Sequence, residues 1–246
     1  MNTPSAMLLF LKLPQPGQVK TRLAKVLGDQ EAASLYTLFV EDLLVALDCV
    51  PAKLTVYCAP QEGTPDADTL AAVRDWLGPD RDYRLQQGSD LGERMAHALD
   101  TAFQEGTDRA VLIGSDIPDF PAPLLAKALD DLRRMPVLLG PALDGGYYLI
   151  GFQRQAFTHT AFTNITWSRP NVLDATLTRL KSAGLDAGFL PPWNDVDDIW
   201  DLNALYRLNL AGSFAQSRTM AALEEKQELL ARYDLHMEMP GCGESV

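Results

Sequence analysis

Gly140-Pro141-Ala142-Leu143-Asp144-Gly145-Gly146-Tyr147-Tyr148-Leu149-Ile150-Gly151-Phe152 is the stretch that decides how this chain folds. An apolar run from Pro136 to Leu139 leads into it and Gly-Pro breaks the run. A carboxylate followed by two glycines makes a corner, and an aromatic-rich strand departs. Paired glycines accept positive φ and let another molecule approach the main chain closely, while Tyr147 and Tyr148 offer flat faces with hydroxyl handles. The same Asp-Gly between apolar runs is also the strongest short signal for a β-hairpin. Taken alone, the stretch favours the plain turn; the strand ends on either side of it are what point to a site.

On the N-terminal side, Arg109 to Gly114 is a buried strand that ends in Gly114-Ser115-Asp116-Ile117-Pro118-Asp119. Ligands of open α/β sheets collect at the carboxyl ends of strands, and Pro118 holds an extended turn there, so Asp116 is a metal-ligand or catalytic candidate. A turn or capping role is the alternative, and it fits Asp119 better. On the C-terminal side, Ser168 to Pro170 reads as the cap and first turn of a helix through Leu173, Leu177 and Leu180 that stops at Gly184. A strand from Leu185 to Leu190 then runs into Pro191-Pro192-Trp193-Asn194-Asp195-Val196-Asp197-Asp198, where three carboxylates crowd one corner. Such crowding is unfavourable without a cation or a helix N-terminus. Capping by Asp198, with Asp201 complementing the helix dipole, accounts for one carboxylate and leaves Asp195 and Asp197 partly unexplained.

Further out lie Lys53 to Ala59 and Tyr83 to Gln87, two short strands flanking a helix opened by Asp66 and Asp68 and ended by Gly78. Gly88-Ser89-Asp90-Leu91-Gly92-Glu93-Arg94-Met95 follows, with Asp90 and Glu93 at capping-box spacing before a helix to about Gln104. His97 reads as a helix-surface or core residue. Met7 to Leu13 is a further buried strand, and Pro14 to Leu23 is a breaker-rich loop entering a helix with Lys20 and Arg22 in its first turn. Cations there oppose the helix dipole unless an anion sits among the free N–H groups, which makes the loop a phosphate-site candidate. It is neither a Walker A loop nor a GxGxxG fingerprint, and a solvated basic helix start is the alternative. Asp29 reads as the cap of a long amphipathic helix to about Leu47. From about Ser213 a polar, Glu-rich helix leads into a frayed tail at Met237 to Gly243, to which no chemistry is assigned.

Strand and helix alternate up to about Arg207, which predicts one three-layer α/β domain. With 246 residues and 47% hydrophobic composition the chain can bury a substantial core. A net charge of -12 excludes an unassisted nucleic-acid or anionic-membrane surface, so an anionic ligand needs a local basic pocket or a metal ion. Cys49, Cys58 and Cys242 form no CxxC pair and no disulfide framework. The apolar run Ala6 to Leu13 is too short to span a membrane, contains Lys12 and is followed by no cleavage pattern, so a cytoplasmic protein is expected.

Five motifs in order resemble the bacterial glycosyltransferase-A-like (GT-A) nucleotide-diphospho-sugar transferase family, related to the phospholactate guanylyltransferases. They are Lys12 with Pro16-Gly17 and Lys20-Thr21-Arg22-Leu23; Gly88 with Leu91 to Met95; Gly114 to Pro118; Gly140-Pro141-Ala142 with Asp144 to Gly151; and Asp195-Val196-Asp197. The resemblance spans residues 7–208. It implies a Rossmann-like GT-A fold with a mostly parallel mixed sheet in residues 1–208, and a C-terminal helix and flexible tail in 209–246.

By the same resemblance, the nucleotide lies over the carboxyl edge of the sheet among Lys12, Gly17, Lys20, Arg22, Gly88 and Ser115, with Lys20 and Arg22 at the phosphates. Asp116 and Asp197 would bind Mg2+ or Mn2+; Asp144, Gly145, Gly146 and Tyr147 would line the sugar or acceptor side, with Asp144 and Lys20 in catalytic roles. The chain departs from the family pattern at Arg169 and at Asp198, each in place of a usual Thr; the second still provides a competent N-cap. The implied activity is a metal-dependent transferase using a nucleotide sugar and a small-molecule acceptor. Its rivals are a nucleotidyltransferase that activates a small phosphorylated acid or sugar phosphate from a nucleoside triphosphate with release of pyrophosphate, and a non-catalytic nucleotide sensor. Retention of Lys20, Arg22, Asp116, Asp144 and Asp197 together argues against the sensor. The motifs leave an oligomer open.

Overall fold

Side chains of the first strand, β1 (Ser5–Leu11), alternate between two cores, and that alternation builds the molecule. Met7, Leu9 and Leu11 enter one core with Leu35, Phe39 and Leu43 of α2 (Asp29–Asp48). Ala6, Leu8 and Phe10 enter the other with Met95, Leu99 and Phe103 of α4 (Leu91–Gln104). A strand apolar on both faces is stable only with helices on both sides, hence three layers. The computed structural model describes residues 4–233.

The other strands are β2 (Lys53–Cys58), β3 (Asp82–Leu85), β4 (Arg109–Gly114), β5 (Val137–Pro141), β6 (Tyr147–Gln153) and β7 (Ala187–Phe189). They form one sheet in the order β3-β2-β1-β4-β6-β5-β7. Every neighbouring pair is parallel except those of β6, which runs antiparallel to β4 and to β5. The sheet is therefore mostly parallel and mixed, as the resemblance implies. The remaining helices are α1 (Thr21–Leu27), α3 (Asp66–Leu77), α5 (Ala122–Asp131), α6 (Val172–Ser182), α7 (Ile199–Leu208), α8 (Arg218–Glu224) and α9 (Gln227–Leu230). None of the described helices is long and apolar enough to cross a membrane.

Several helix starts follow the sequence and several do not. Asp90 caps α4 by accepting from the Glu93 N–H at 2.8 Å, but the Glu93 carboxylate turns back to the N–H and hydroxyl of Ser89, one residue earlier than a capping box requires. Asp198 and Asp201 form a complete capping box at the start of α7. Asp29 is the first residue of α2 rather than its cap, the cap position belonging to Gly28. Ser168 to Pro170 precede α6 instead of opening it: Asn171 stands at the cap, and Ser168, at φ 61, is outside the helical region. The single helix expected from Ser213 is instead a short 3-10 turn (Phe214–Gln216) followed by α8 and α9; Ser217 caps α8, and Asp42 of α2 accepts from the main-chain N–H of Arg218 and Thr219. Docking on α2 thus sets where α8 begins. The tail at Met237 to Gly243 lies outside the described residues.

Candidate active site

Two loops meet at the carboxyl edge of the sheet. The turn after β4 carries Ser115 and Asp116, and the segment after β7 carries Asp195 and Asp197. The Val196 N–H donates to the Asp116 carbonyl at 2.9 Å, so main chain fixes their separation. Trp193 adds two ties, its main-chain N–H to the Pro141 carbonyl at 3.0 Å and its indole N–H to Asp119 at 2.8 Å. Asp119 also accepts from Asn209, so it works as a loop fastener, consistent with the structural role preferred for it.

Lys20 enters between these loops. It is the residue before α1 and has left-handed backbone (φ 47, ψ 42), uncommon outside glycine. Its side chain is 4% exposed, and its ammonium is ion-paired with Asp116 and with Asp197 Oδ1, the latter at 3.1 Å. The ammonium also lies 5.9 Å from the centre of the Tyr36 ring, within cation–π range. Burial opposes its charge, but Asp116 and Asp197 outweigh burial and hold Lys20 above the usual lysine range. Arg22 stays at the rim, paired with Asp198 and 3.8 Å from Asp197.

Tyr36 supports this corner from α2. Its hydroxyl accepts from the Lys12 N–H at 3.0 Å and shares a hydrogen bond with the Ser115 hydroxyl at 2.7 Å. Burial, with the Asp116 charge second, raises its ionisation well above that of a free tyrosine, so it remains a neutral hydroxyl. The buried Gln86 amide donates to the Leu11 and Tyr57 carbonyls and knits the ends of β1 and β2.

These groups border a cleft of about 740 Å³. Of the residues expected from the sequence, Lys12, Lys20, Arg22, Ser115, Asp116, Tyr147 and Asp197 line it; Gly17, Gly88, Asp144, Gly145 and Gly146 do not. Gly88 makes a close approach, but to its own helix: a Cβ there would lie 2.6 Å from Glu93 Cβ. The β5–β6 connection is the hairpin that Asp-Gly announces, with the Gly146 N–H donating to the Asp144 carboxylate at 2.8 Å. Room beside Gly145 was expected for a second molecule. It is filled by main chain, since a Cβ on Gly145 (φ 88) would stand 1.9 Å from the Pro170 carbonyl oxygen.

Tyr36, Gln86 and Arg94 line the cleft without having been singled out for it. Tyr36 sits in the apolar stripe with Leu35 and Phe39, and its hydroxyl was the one available signal.

Asp195 also lines the cleft. Burial first, then the charges of Asp116, Asp197 and Asp144, push its carboxyl up to about 7. An unfolded aspartate titrates near ~3.9. The folded value is the higher one, so this group's contribution to stability is present below pH ~4 and is lost as pH rises through about 7. Asp195→Asn should therefore stabilise the metal-free protein at pH 8 by on the order of 2 kcal/mol and leave it unchanged at pH 4. Urea unfolding in EDTA at both pH values checks this; equal effects at both would remove the assigned cause.

The donor set fits a particular kind of ion. Asp116 and Asp197 converge on one position, now held by the Lys20 ammonium, and among the described residues no group of three or more His, Cys, Asp or Glu is arranged to hold a metal. A protein cage of the zinc type is thus not offered. Two carboxylates suit a hard ion that takes its other ligands from phosphate and water, as Mg2+ does.

The family profile described as "Uncharacterized protein conserved in bacteria (DUF2064)" matches residues 43–169. Among solved structures, the chain is similar to a Desulfovibrio desulfuricans G20 protein provisionally called a nucleotide-diphospho-sugar transferase. The two are 45% identical over 95% of this chain and 99% of that one, with a TM-score of 0.90. A cytidylyltransferase from Leptospira borgpetersenii serovar Hardjo-bovis shares the fold at 13% identity, over 95% and 98% of the two chains, with a TM-score of 0.55. So does a CMP:2-keto-3-deoxy-manno-octonic acid synthetase complexed with CTP, at 11% identity over 94% and 99%, with a TM-score of 0.51. No curated protein matches the sequence. The similarities agree with the resemblance carried by the five motifs.

Proposed function

The chain belongs to the bacterial DUF2064 family, and from that membership and its cleft we propose that it is a magnesium- or manganese-dependent transferase. It takes a nucleotide-sugar donor and passes the sugar to a small-molecule acceptor. The observation that carries this is the convergence of Asp116 and Asp197 on one cationic position, with Lys12, Lys20 and Arg22 beside it at the carboxyl edge of the sheet. That edge is where open α/β sheets bind ligands. An acidic chain admits a diphosphate only through local positive charge, and here it is concentrated in one cleft. The provisional name of the Desulfovibrio protein supports the nucleotide-sugar donor.

A bound divalent ion supplies charge neutralisation on the phosphate oxygens of the departing nucleotide. Asp116 and Asp197 would hold it. Lys20 and Arg22 would share the phosphate charge through charge-assisted hydrogen bonds. Ser115 and Lys12, joined through the Tyr36 hydroxyl, would hold the nucleotide side, with Gly17 and Gly88 shaping the loops around it. Asp144, whose charge is felt at Asp195, would face the sugar or acceptor from the hairpin corner with Tyr147 beside it, while Gly145 and Gly146 shape the turn that presents it. Residues 1–208 form the transferase unit in this proposal, with 209–246 as an appendage. We place the enzyme in the cytoplasm, in keeping with the free thiols of Cys49 and Cys58.

The test is a panel of nucleotide sugars and nucleoside triphosphates with magnesium and small acceptors. Nucleoside diphosphate released from a nucleotide sugar is the expected result. Pyrophosphate released from a triphosphate, with a phosphorylated acid or sugar phosphate as acceptor, would replace glycosyl by nucleotidyl transfer. Nucleotide binding with no turnover of any donor would leave a sensor.

A further inference from the structure

A lysine that waits for phosphate ordinarily keeps its ammonium in water, where a long flexible stem lets it reach the ligand. Lys20 does not. Its side chain is 4% exposed, its backbone is left-handed, and its Nζ is bonded to both carboxylates that would receive the metal. Without that ammonium, Asp116 and Asp197 would face each other as like charges across a partly buried corner. With it, their Oδ1 atoms are aimed at one point. An ammonium and a divalent ion cannot share that point, because both need the same two oxygens and they repel each other. Arg22 is engaged by Asp198 at the rim and reaches Asp197 only at 3.8 Å, on the oxygen that Lys20 does not use.

We propose that Lys20 is a tethered place-holding cation: it positions Asp116 and Asp197 for the divalent ion, yields the position when the ion arrives, and delivers its freed ammonium to the donor phosphates. This rests on the metal-dependent function proposed above. Its consequence is an order of binding. The ion alone has to evict Lys20 into water and binds weakly. The ion with a polyphosphate binds tightly, because the phosphate receives the displaced ammonium, and by linkage each ligand raises the affinity of the other. Lys20 is therefore a positioning residue of the free enzyme before it touches substrate.

The test uses full-length protein stripped with EDTA and Mn2+ alone as the probe, with binding read from the electron paramagnetic resonance signal of free Mn2+. Lys20→Met should bind Mn2+ about tenfold more tightly than wild type, since the competitor is gone and the carboxylates remain. Lys20→Arg, which keeps the cation, should stay near the wild-type value, and Asp116→Asn should lose binding. Lys20→Met binding no more tightly than wild type, while Asp116→Asn still loses binding, would overturn the place-holder and keep the metal site. No Mn2+ bound by either wild type or Lys20→Met would overturn both. A measurement on wild type guards against a variant that fails to fold. Amine labelling of Lys20, followed by mass spectrometry, should be slow in the metal-free protein and several-fold faster with saturating Mn2+; an unchanged rate would overturn the proposal.

Discussion

Asp116→Asn is expected to reduce magnesium-dependent binding of a nucleoside diphosphate by about a hundredfold or more while weakening the fold far less. A hard cation prefers a charged oxygen, and a neutral amide of the same shape removes the charge without removing the volume. The buried Lys20 ammonium loses one partner but keeps Asp197, and two further features limit the cost to the fold. The carboxylate is 43% exposed, so little buried packing depends on it, and the tie to Val196 uses the main-chain carbonyl, which the substitution keeps. Calorimetric titration with and without magnesium measures the first effect and urea unfolding the second. Equal magnesium-dependent affinity in wild type and variant would remove Asp116 from the metal site.

The second large effect is structural. Gly145→Ala should destabilise the protein by about 2–4 kcal/mol, far more than an ordinary glycine substitution at positive φ. Two terms add. The backbone at φ 88 resists any L side chain, and the new Cβ would lie 1.9 Å from the Pro170 oxygen, which is main chain and cannot rotate away. Gly106 is the control: its φ is 100 but no atom lies within 4 Å of its Cβ position, so Gly106→Ala should cost only about 1 kcal/mol. Thermal and urea unfolding of the pair decide it. If both variants lose the same stability, Pro170 is not pressed against the hairpin.

Much of the sheet was legible because its strands are short apolar runs bounded by breakers, and such runs have few alternatives inside a domain of this size. Arg109–Gly114 was read to the residue. Asp116 was legible as a strand-end carboxylate, and Asp195 and Asp197 as crowded carboxylates that packing leaves unexplained; the pairing of Asp116 with Asp197 came from the family resemblance. Lys20 was legible as a site residue but not in its place: a side chain drawn inward depends on a left-handed backbone, and nothing in Val19-Lys20-Thr21 encodes that torsion. Tyr36 was hidden because helical periodicity assigns a tyrosine among leucines to the core, where it does sit, and is silent on where its hydroxyl points. The hairpin was one of two readings of the central stretch, the other being a ligand-facing corner, and the backbone there does make the turn. The packing of the Pro170 segment against Gly145 depends on contacts from far along the chain, which no local pattern carries.

The main-chain bond from Val196 to Asp116, with the two Trp193 ties beside it, has a consequence for how such a site can change over evolutionary time. The spacing of positions 116 and 197 belongs to the scaffold, because the bond that sets it is main chain. A carboxylate exchanged for an amide, a histidine or a hydroxyl would therefore inherit the same geometry, and the corner could trade one ion for another, or an ion for a permanent ammonium, by single substitutions. The loops act as an interchangeable socket: main chain sets its geometry, and the residue fitted at each position decides what it accepts.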